Sequence, residues 1–303
     1  MSFSIDRFVS LSKAVDTSDI DWEYVARVGI SDDEARVLRY MADTESHTII
    51  YMRDLLAGHT ARDPEIAAFM SCWVYEEFNH GRAIDRFLAA CGRPPTVGHY
   101  TKVTDSASWV EGLEAFFTLS LPHLTPHFAA VHMAWGAIDE MMAAMAYMQL
   151  AQYTRNKELS KLLLRMAKDE RRHQSFYYHQ AERRMQHRLG QVIARFGLER
   201  LWSPVGIGVG GDSDDLAFIA WMLLDSQRGR DELRHNDRMM GRLPGMAGCS
   251  LTFRRVDALM RSFQTRFPHE VDRLRAQRRE LGINMEAEPT MSIGMEAQLS
   301  HAS

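Results

Sequence analysis

Glu-x-x-His occurs twice on helical stripes that are otherwise apolar. Phe69, Trp73, Glu77, His80, Ile84 and Phe87 recur at three- and four-residue steps, as do Leu163, Met166, Glu170, His173 and Tyr177, so each set shares one face of a helix. A carboxylate and an imidazole on such a stripe enter a core together. Burying an unpaired carboxylate is costly, so the arrangement survives only where something neutralises the charge, and a bound cation does so.

Two more stripes each offer one inward carboxylate: Leu38, Met41, Glu45, Ile49 and Met52, and Met133, Gly136, Glu140, Ala144 and Tyr147. Glu45, Glu77, His80, Glu140, Glu170 and His173 together make the donor set of carboxylate-bridged di-metal sites in bundle cores, one Glu from each of two helices and Glu-x-x-His from each of the other two. Oxygen and imidazole donors without thiolate suit a pair of iron(II) ions, with manganese as the other choice. Glu140 is preferred to the adjacent Asp139 on helical phase. Glu76 shares its side with Ser71 and Asn79 and reads as outer.

Other residues could compete for a chemical role. Glu232 and His235 form a third Glu-x-x-His, but Asp225 and Arg228 make that stripe polar throughout, which predicts a solvent-facing side. Met141, Met142, Met145 and Met148 read as adaptable core, or as the lining of a substrate channel. His123, His127 and His132 precede Glu140. His132 reads first as a structural histidine, with a hydrogen bond to a ligand as the alternative.

The elements that must position these groups have recognisable ends. A first long helix opens at Ser31, with Asp32, Asp33 and Glu34 in its first turn, and stops near Gly58. A second opens at Asp63-Pro64-Glu65 and closes at Cys91-Gly92, before Pro94-Pro95. A third is expected from about Pro126 to Tyr153, and a fourth from a polar turn at residues 154–157 to about Gly190. Residues 92–125 form the connection, with an amphipathic piece at 106–119. Two helical hairpins joined by one long crossover predict an all-α, ferritin-like four-helix bundle over residues 31–190, without sheet.

An N-terminal segment, residues 1–30, precedes the bundle. After it come a glycine-rich stretch at 202–212 and expected helices at 213–240, 250–263 and 268–281, read as a C-terminal extension packed on the bundle or making an interface. Residues 282–303 read as a poorly ordered tail.

Bulk properties narrow the function classes. With 46% apolar and 25% charged residues, the 303-residue chain has the composition of a folded, soluble protein. A formal charge of -4 argues against a general nucleic-acid binder. Cys72, Cys91 and Cys249 include no CxxC and read as reduced thiols. The start lacks the pattern of a signal peptide, and the apolar stretches are too short to span a bilayer, so the sequence reads as cytoplasmic, without a membrane role.

With those motifs in place, the chain resembles the soluble acyl-carrier-protein desaturases of the ferritin-like superfamily. The matching pieces are Thr44-Glu45, Trp73-Val74-Tyr75-Glu76-Glu77-Phe78-Asn79-His80-Gly81 and Asp169-Glu170-Arg171-Arg172-His173, within residues 31–190. The resemblance implies that Glu77 and Glu170 bridge two irons, that Glu45 and His80 serve one iron, and that Glu140 and His173 serve the other. It also implies dioxygen-dependent removal of two hydrogens from a fatty-acyl chain, a ferredoxin-type electron donor, a homodimer, and Arg171 and Arg172 as contacts for an acidic acyl-carrier protein.

The chain departs from that family at Ala143, where the family carries a Thr one turn after the third-helix Glu. Di-iron oxygenases of natural-product biosynthesis, hydroxylases or N-oxygenases acting on a small molecule, are therefore the alternative. Arylamine N-oxygenases add a His where this chain has Met166. Iron storage is a third reading, for which the residues past 190 are superfluous.

Overall fold

The computed structural model describes residues 3–57, 59–96, 127–204 and 213–282. All regular structure among them is helical: α1 (Ile5–Leu11), α2 (Trp22–Val28), α3 (Asp32–Ala57), α4 (Pro64–Ala90), α5 (Phe128–Tyr153), α6 (Lys157–Arg184), α7 (Arg188–Leu201), α8 (Ser213–Leu224), α9 (Gln227–Met240), α10 (Thr252–Arg266) and α11 (Pro268–Glu280), with one 3-10 turn at His59–Arg62. The amphipathic piece expected at 106–119, the tail beyond residue 282 and His123 lie outside the described residues.

The long helices begin where side chains satisfy their free N–H groups. Ser31 and Glu34 form a reciprocal capping box at α3: the Ser31 N–H donates to Glu34 Oε2 at 2.8 Å and the Glu34 N–H to Ser31 Oγ at 3.2 Å. Asp63 caps α4, accepting from the Glu65 and Ile66 N–H groups, with Pro64 in the first turn. Asn156 does the same for α6 through the N–H groups of Glu158 and Leu159.

α3 packs on α4 and α5 on α6, giving the two hairpins, and α4 meets α6 across the centre. Aromatic rings fill one end, where Phe69 of α4 stacks on Phe176 of α6 at 3.8 Å and 9° between planes. α5 and α6 are drawn together at Gly136, where a Cβ atom would lie 2.5 Å from the Tyr177 ring.

The fourth long helix ends earlier than expected. α6 stops at Arg184 and the chain turns before α7. Gly190 serves that turn, not the end of the helix: a Cβ atom there would sit 2.5 Å from the Arg184 carbonyl oxygen. The region expected as one helix at 213–240 is likewise two, α8 and α9, with Ser226 capping the second through the Gly229 N–H at 2.9 Å.

Residues 216–224 of α8 are buried throughout, and Phe218 and Trp221 share a core with Leu38 of α3, Phe87 of α4 and Leu159 of α6. α10 and α11 add Val256, Phe263, Val271 and Leu274 to it. No described helix is long and apolar enough to cross a membrane.

Candidate metal centre

Helical phase delivers Glu45 from α3, Glu77 and His80 from α4, Glu140 from α5, and Glu170 and His173 from α6 into one interior; each is at most 5% exposed. They form two overlapping groups, Glu45, Glu77, His80 and Glu170, and Glu77, Glu140, Glu170 and His173, within each of which the donor atoms lie inside 4.8 Å of one another. Glu77 and Glu170 belong to both groups.

Both imidazoles present Nδ1 to these carboxylates. His80 Nδ1 lies 3.1 Å from Glu170 Oε1 and 3.8 Å from Glu45 Oε2. His173 Nδ1 lies 3.0 Å from Glu77 Oε1, 3.1 Å from Glu170 Oε2 and 3.5 Å from Glu140 Oε2.

The other ring nitrogens are held from behind, reciprocally between helices. His173 Nε2 lies 2.6 Å from Glu76 Oε2 on α4, and His80 Nε2 lies 3.4 Å from Asp169 Oδ2 on α6. Each supporting acid immediately precedes the shared Glu of its own helix. Arg172 Nη2 joins the two by donating to Glu76 Oε1 and Oε2, both at 2.8 Å, and to Asp169 Oδ1 at 3.0 Å. A carboxylate at Nε2 keeps the proton there and turns the Nδ1 lone pair inward, as a metal ligand requires.

Two aromatic donors orient the remaining carboxylates. Trp73 Nε1 donates to Glu140 Oε1 at 2.9 Å, and the Tyr147 hydroxyl donates to Glu45 Oε1. Each of these Glu side chains keeps its second oxygen for the interior.

The residues fit a cation pair. Glu45 Oε2, Glu77 Oε1, Glu170 Oε1 and His80 Nδ1 are buried without a hydrogen-bond partner, and all four face the shared interior. Orphaned buried acceptors are costly unless a cation or proton meets them. Burial and the nearby Glu170, Glu45 and Glu140 push the Glu77 carboxyl well above its usual range. Burial likewise raises Glu140, against the opposing pull of His173. Burial disfavours charge on His80 and His173, but the surrounding carboxylates outweigh it and push both imidazoles up. Such a cluster takes up positive charge as protons or as metal ions, and metal ions displace the protons.

Glu76 corrects the outer reading. It is fully buried, because α1 packs across that side of α4 and the Lys13 backbone N–H donates to Glu76 Oε1 at 3.1 Å. Burial alone would raise its pKa, yet the hydrogen bonds from His173 and Arg172 hold it at about 2. The acid pairs Glu76-Glu77 and Asp169-Glu170, each three residues before an imidazole, were the sequence signal for this support.

Arg171 and Arg172 are also placed differently from an exposed basic pair. Arg172 is committed inward to Glu76 and Asp169, and the half-buried Arg171 donates to Met148 Sδ. They point apart because successive helical residues differ by about 100° in direction. Ile49, expected on the inward stripe, is 36% exposed.

The competing residues sort cleanly. Asp139 accepts from Trp202 Nε1 at 3.0 Å, turned away from the carboxylate cluster. On the third Glu-x-x-His stripe His235 is exposed, but Asp225, Arg228 and Glu232 are only partly so, because that side of α9 lies along its neighbours and is not the solvent-facing side expected. His132 touches no ligand; it packs edge-on against Phe128 at 4.7 Å. Among known proteins, no family model and no curated relative matches the chain.

Proposed function

We propose that this protein is a non-haem di-iron oxidoreductase that uses dioxygen to remove hydrogen from an unactivated substrate, in the manner of an acyl-carrier-protein desaturase. The observation that carries the reading is the pair of four-residue donor groups sharing Glu77 and Glu170. Glu45 and His80 would hold one ion, Glu140 and His173 the other, and the shared carboxylates both. Two irons bound there would supply reductive activation of dioxygen, with electrons from a ferredoxin-type donor.

The chain's own residues provide position and exclusion. Glu76, Asp169 and Arg172 fix the imidazoles, while Trp73 and Tyr147 fix the two unshared carboxylates. Phe69, Phe176 and Tyr177 wall one end of the site with aromatic surface and keep bulk water out. A fatty-acyl group on a carrier protein is the substrate class this reading names first, with a cytoplasmic homodimer as its setting.

Ala143 favours a second reading within the same chemistry, a hydroxylase or N-oxygenase acting on a small molecule, because the hydroxyl-bearing residue of the desaturases is missing. The test is metal analysis of protein loaded anaerobically with iron(II), followed by mass spectrometry of acyl-carrier proteins and small molecules after oxygen and reductant are added. Two irons per chain and a product two hydrogens lighter support desaturation; a gain of one oxygen supports the second reading. Fewer than two irons, or oxygen uptake that yields only ferric mineral, rejects both.

A further inference from the structure

α9 runs antiparallel to α5, with Arg228 opposite Gln152 at one end of the seam and Asn236 opposite Met142 at the other. α6 adds Arg171 between them, against Met148. The polar groups do not balance. Arg171 carries five N–H donors, and its polar contact among the described residues is a thioether, a weak acceptor. Asn236 is 6% exposed, yet its amide Nδ2 also meets only a thioether, Met142 Sδ at 3.8 Å. Arg228 Nε is buried with no partner. Glu232, one turn from both Arg228 and Asn236, lies within electrostatic reach of Arg171, where it partly offsets the burial that lowers the guanidinium's pKa, but it accepts no hydrogen bond from Arg171, whose described polar contact stays the thioether.

We infer that this seam is a binding site for a small oxyanion, a carboxylate or a phosphate, held by Arg171 and Asn236 with Arg228 at its edge. Guanidinium groups match planar or tetrahedral oxyanions through paired N–H donors, and a half-buried guanidinium facing sulfur has that capacity unspent. The burial of Asn236 limits the ligand end to a compact group, and the methionines beside it suit an apolar remainder. Arg171 follows Glu170 by one residue and so leaves α6 about 100° away from the metal-facing direction. The site is therefore distinct from the carboxylate cluster and does not depend on the function proposed above.

The full-length protein in phosphate-free buffer is titrated calorimetrically with inorganic phosphate and, separately, with octanoate, at constant ionic strength set by chloride. Saturable binding of at least one is expected, and which one binds distinguishes phosphate from carboxylate recognition. Arg171→Met and Asn236→Leu should each weaken it about tenfold or more, as expected for loss of a hydrogen bond to a charged group. The variant Arg200→Ala, at an exposed arginine of α7 outside the seam, should bind as the parent does. Should Arg171→Met not fold, Arg171→Lys keeps the charge and the stem and should still weaken binding several-fold. Absence of saturable binding of both anions, or unchanged binding in a folded Arg171 variant, overturns the inference. So does strong non-additivity between Arg171→Met and Glu232→Gln in unfolding experiments, which would make Glu232 the partner of Arg171.

Discussion

His173 of α6 is held at Nε2 by Glu76 of α4, 2.6 Å away, and the neighbour of Glu76 in the chain, Glu77, lies 3.0 Å from the other nitrogen of the same ring. One helix thus grips both edges of an imidazole carried by another. His80 is treated the same way in reverse, with Asp169 behind it and Glu170 in front. Arg172 ties the two arrangements together.

Glu76→Gln should lower affinity for one metal ion by roughly 10- to 100-fold, the usual cost of removing a partner behind a ligating histidine. Asp169→Asn should do less, because its contact with His80 is longer at 3.4 Å. Arg172→Met should weaken both ions together. Chelator competition with metal counted per chain separates these outcomes; equal, small effects of all three would refute the coupling.

The shared carboxylates should differ from the unshared ones in stoichiometry. Glu170→Ala is expected to abolish both ions, whereas Glu45→Ala should leave one ion held by Glu77, Glu140, Glu170 and His173. Two irons per chain retained in Glu170→Ala and in His173→Ala would end the ligand assignment.

Metal removal should expose the strain of the carboxylate cluster. Glu77 is raised by burial and by the nearby Glu170, Glu45 and Glu140, so its folded pKa lies above its unfolded value. Its contribution is complete below the unfolded pKa and is lost as pH rises through the folded pKa. At neutral pH the chelator-treated Glu77→Gln variant should therefore unfold at higher denaturant than the chelator-treated parent, by about 1–3 kcal/mol, and the order should invert once iron is added. The same order in both states would contradict it.

His132 gives a separate pH dependence. Burial lowers its pKa from 6.5 to about 4, and both ring nitrogens lack partners. The unfolded chain binds the proton more readily between those values, so this residue's contribution is full above pH 6.5 and falls away as the pH drops towards 4. The loss amounts to about 3 kcal/mol at most. Unfolding of His132→Leu should be nearly unchanged at pH 7 and relatively more favourable to the fold at pH 4.5. Parallel pH profiles of variant and parent would exclude the effect.

At the α5–α6 crossing, Gly136→Ala would place a methyl group 2.5 Å from the Tyr177 ring. Overpacking of this kind costs about 1–3 kcal/mol. Chemical denaturation should show that loss, and Tyr177→Leu in the same chain should recover part of it; a simple sum of the two single-variant losses would place the clash elsewhere.

Much of this molecule was determined locally. The caps at Ser31, Asp63 and Asn156 start helices because they satisfy free N–H groups, whatever packs nearby. The phase of 3.6 residues per turn put Glu45, Glu77, His80, Glu140, Glu170 and His173 on apolar faces, and an apolar face is where a core forms. Only the tertiary structure decided what lies behind those faces. Glu76 is buried because a separate short helix, α1, covers it, and no periodicity within α4 records that. The turn at residues 185–187 is also invisible to phase, since both flanking segments are good helices and Gly190, the residue that leaves room for the chain to double back against the Arg184 carbonyl, lies inside the second of them. Arg172 turned inward for the same reason: two carboxylates from different helices needed one shared cation, a demand that arises only when those helices meet.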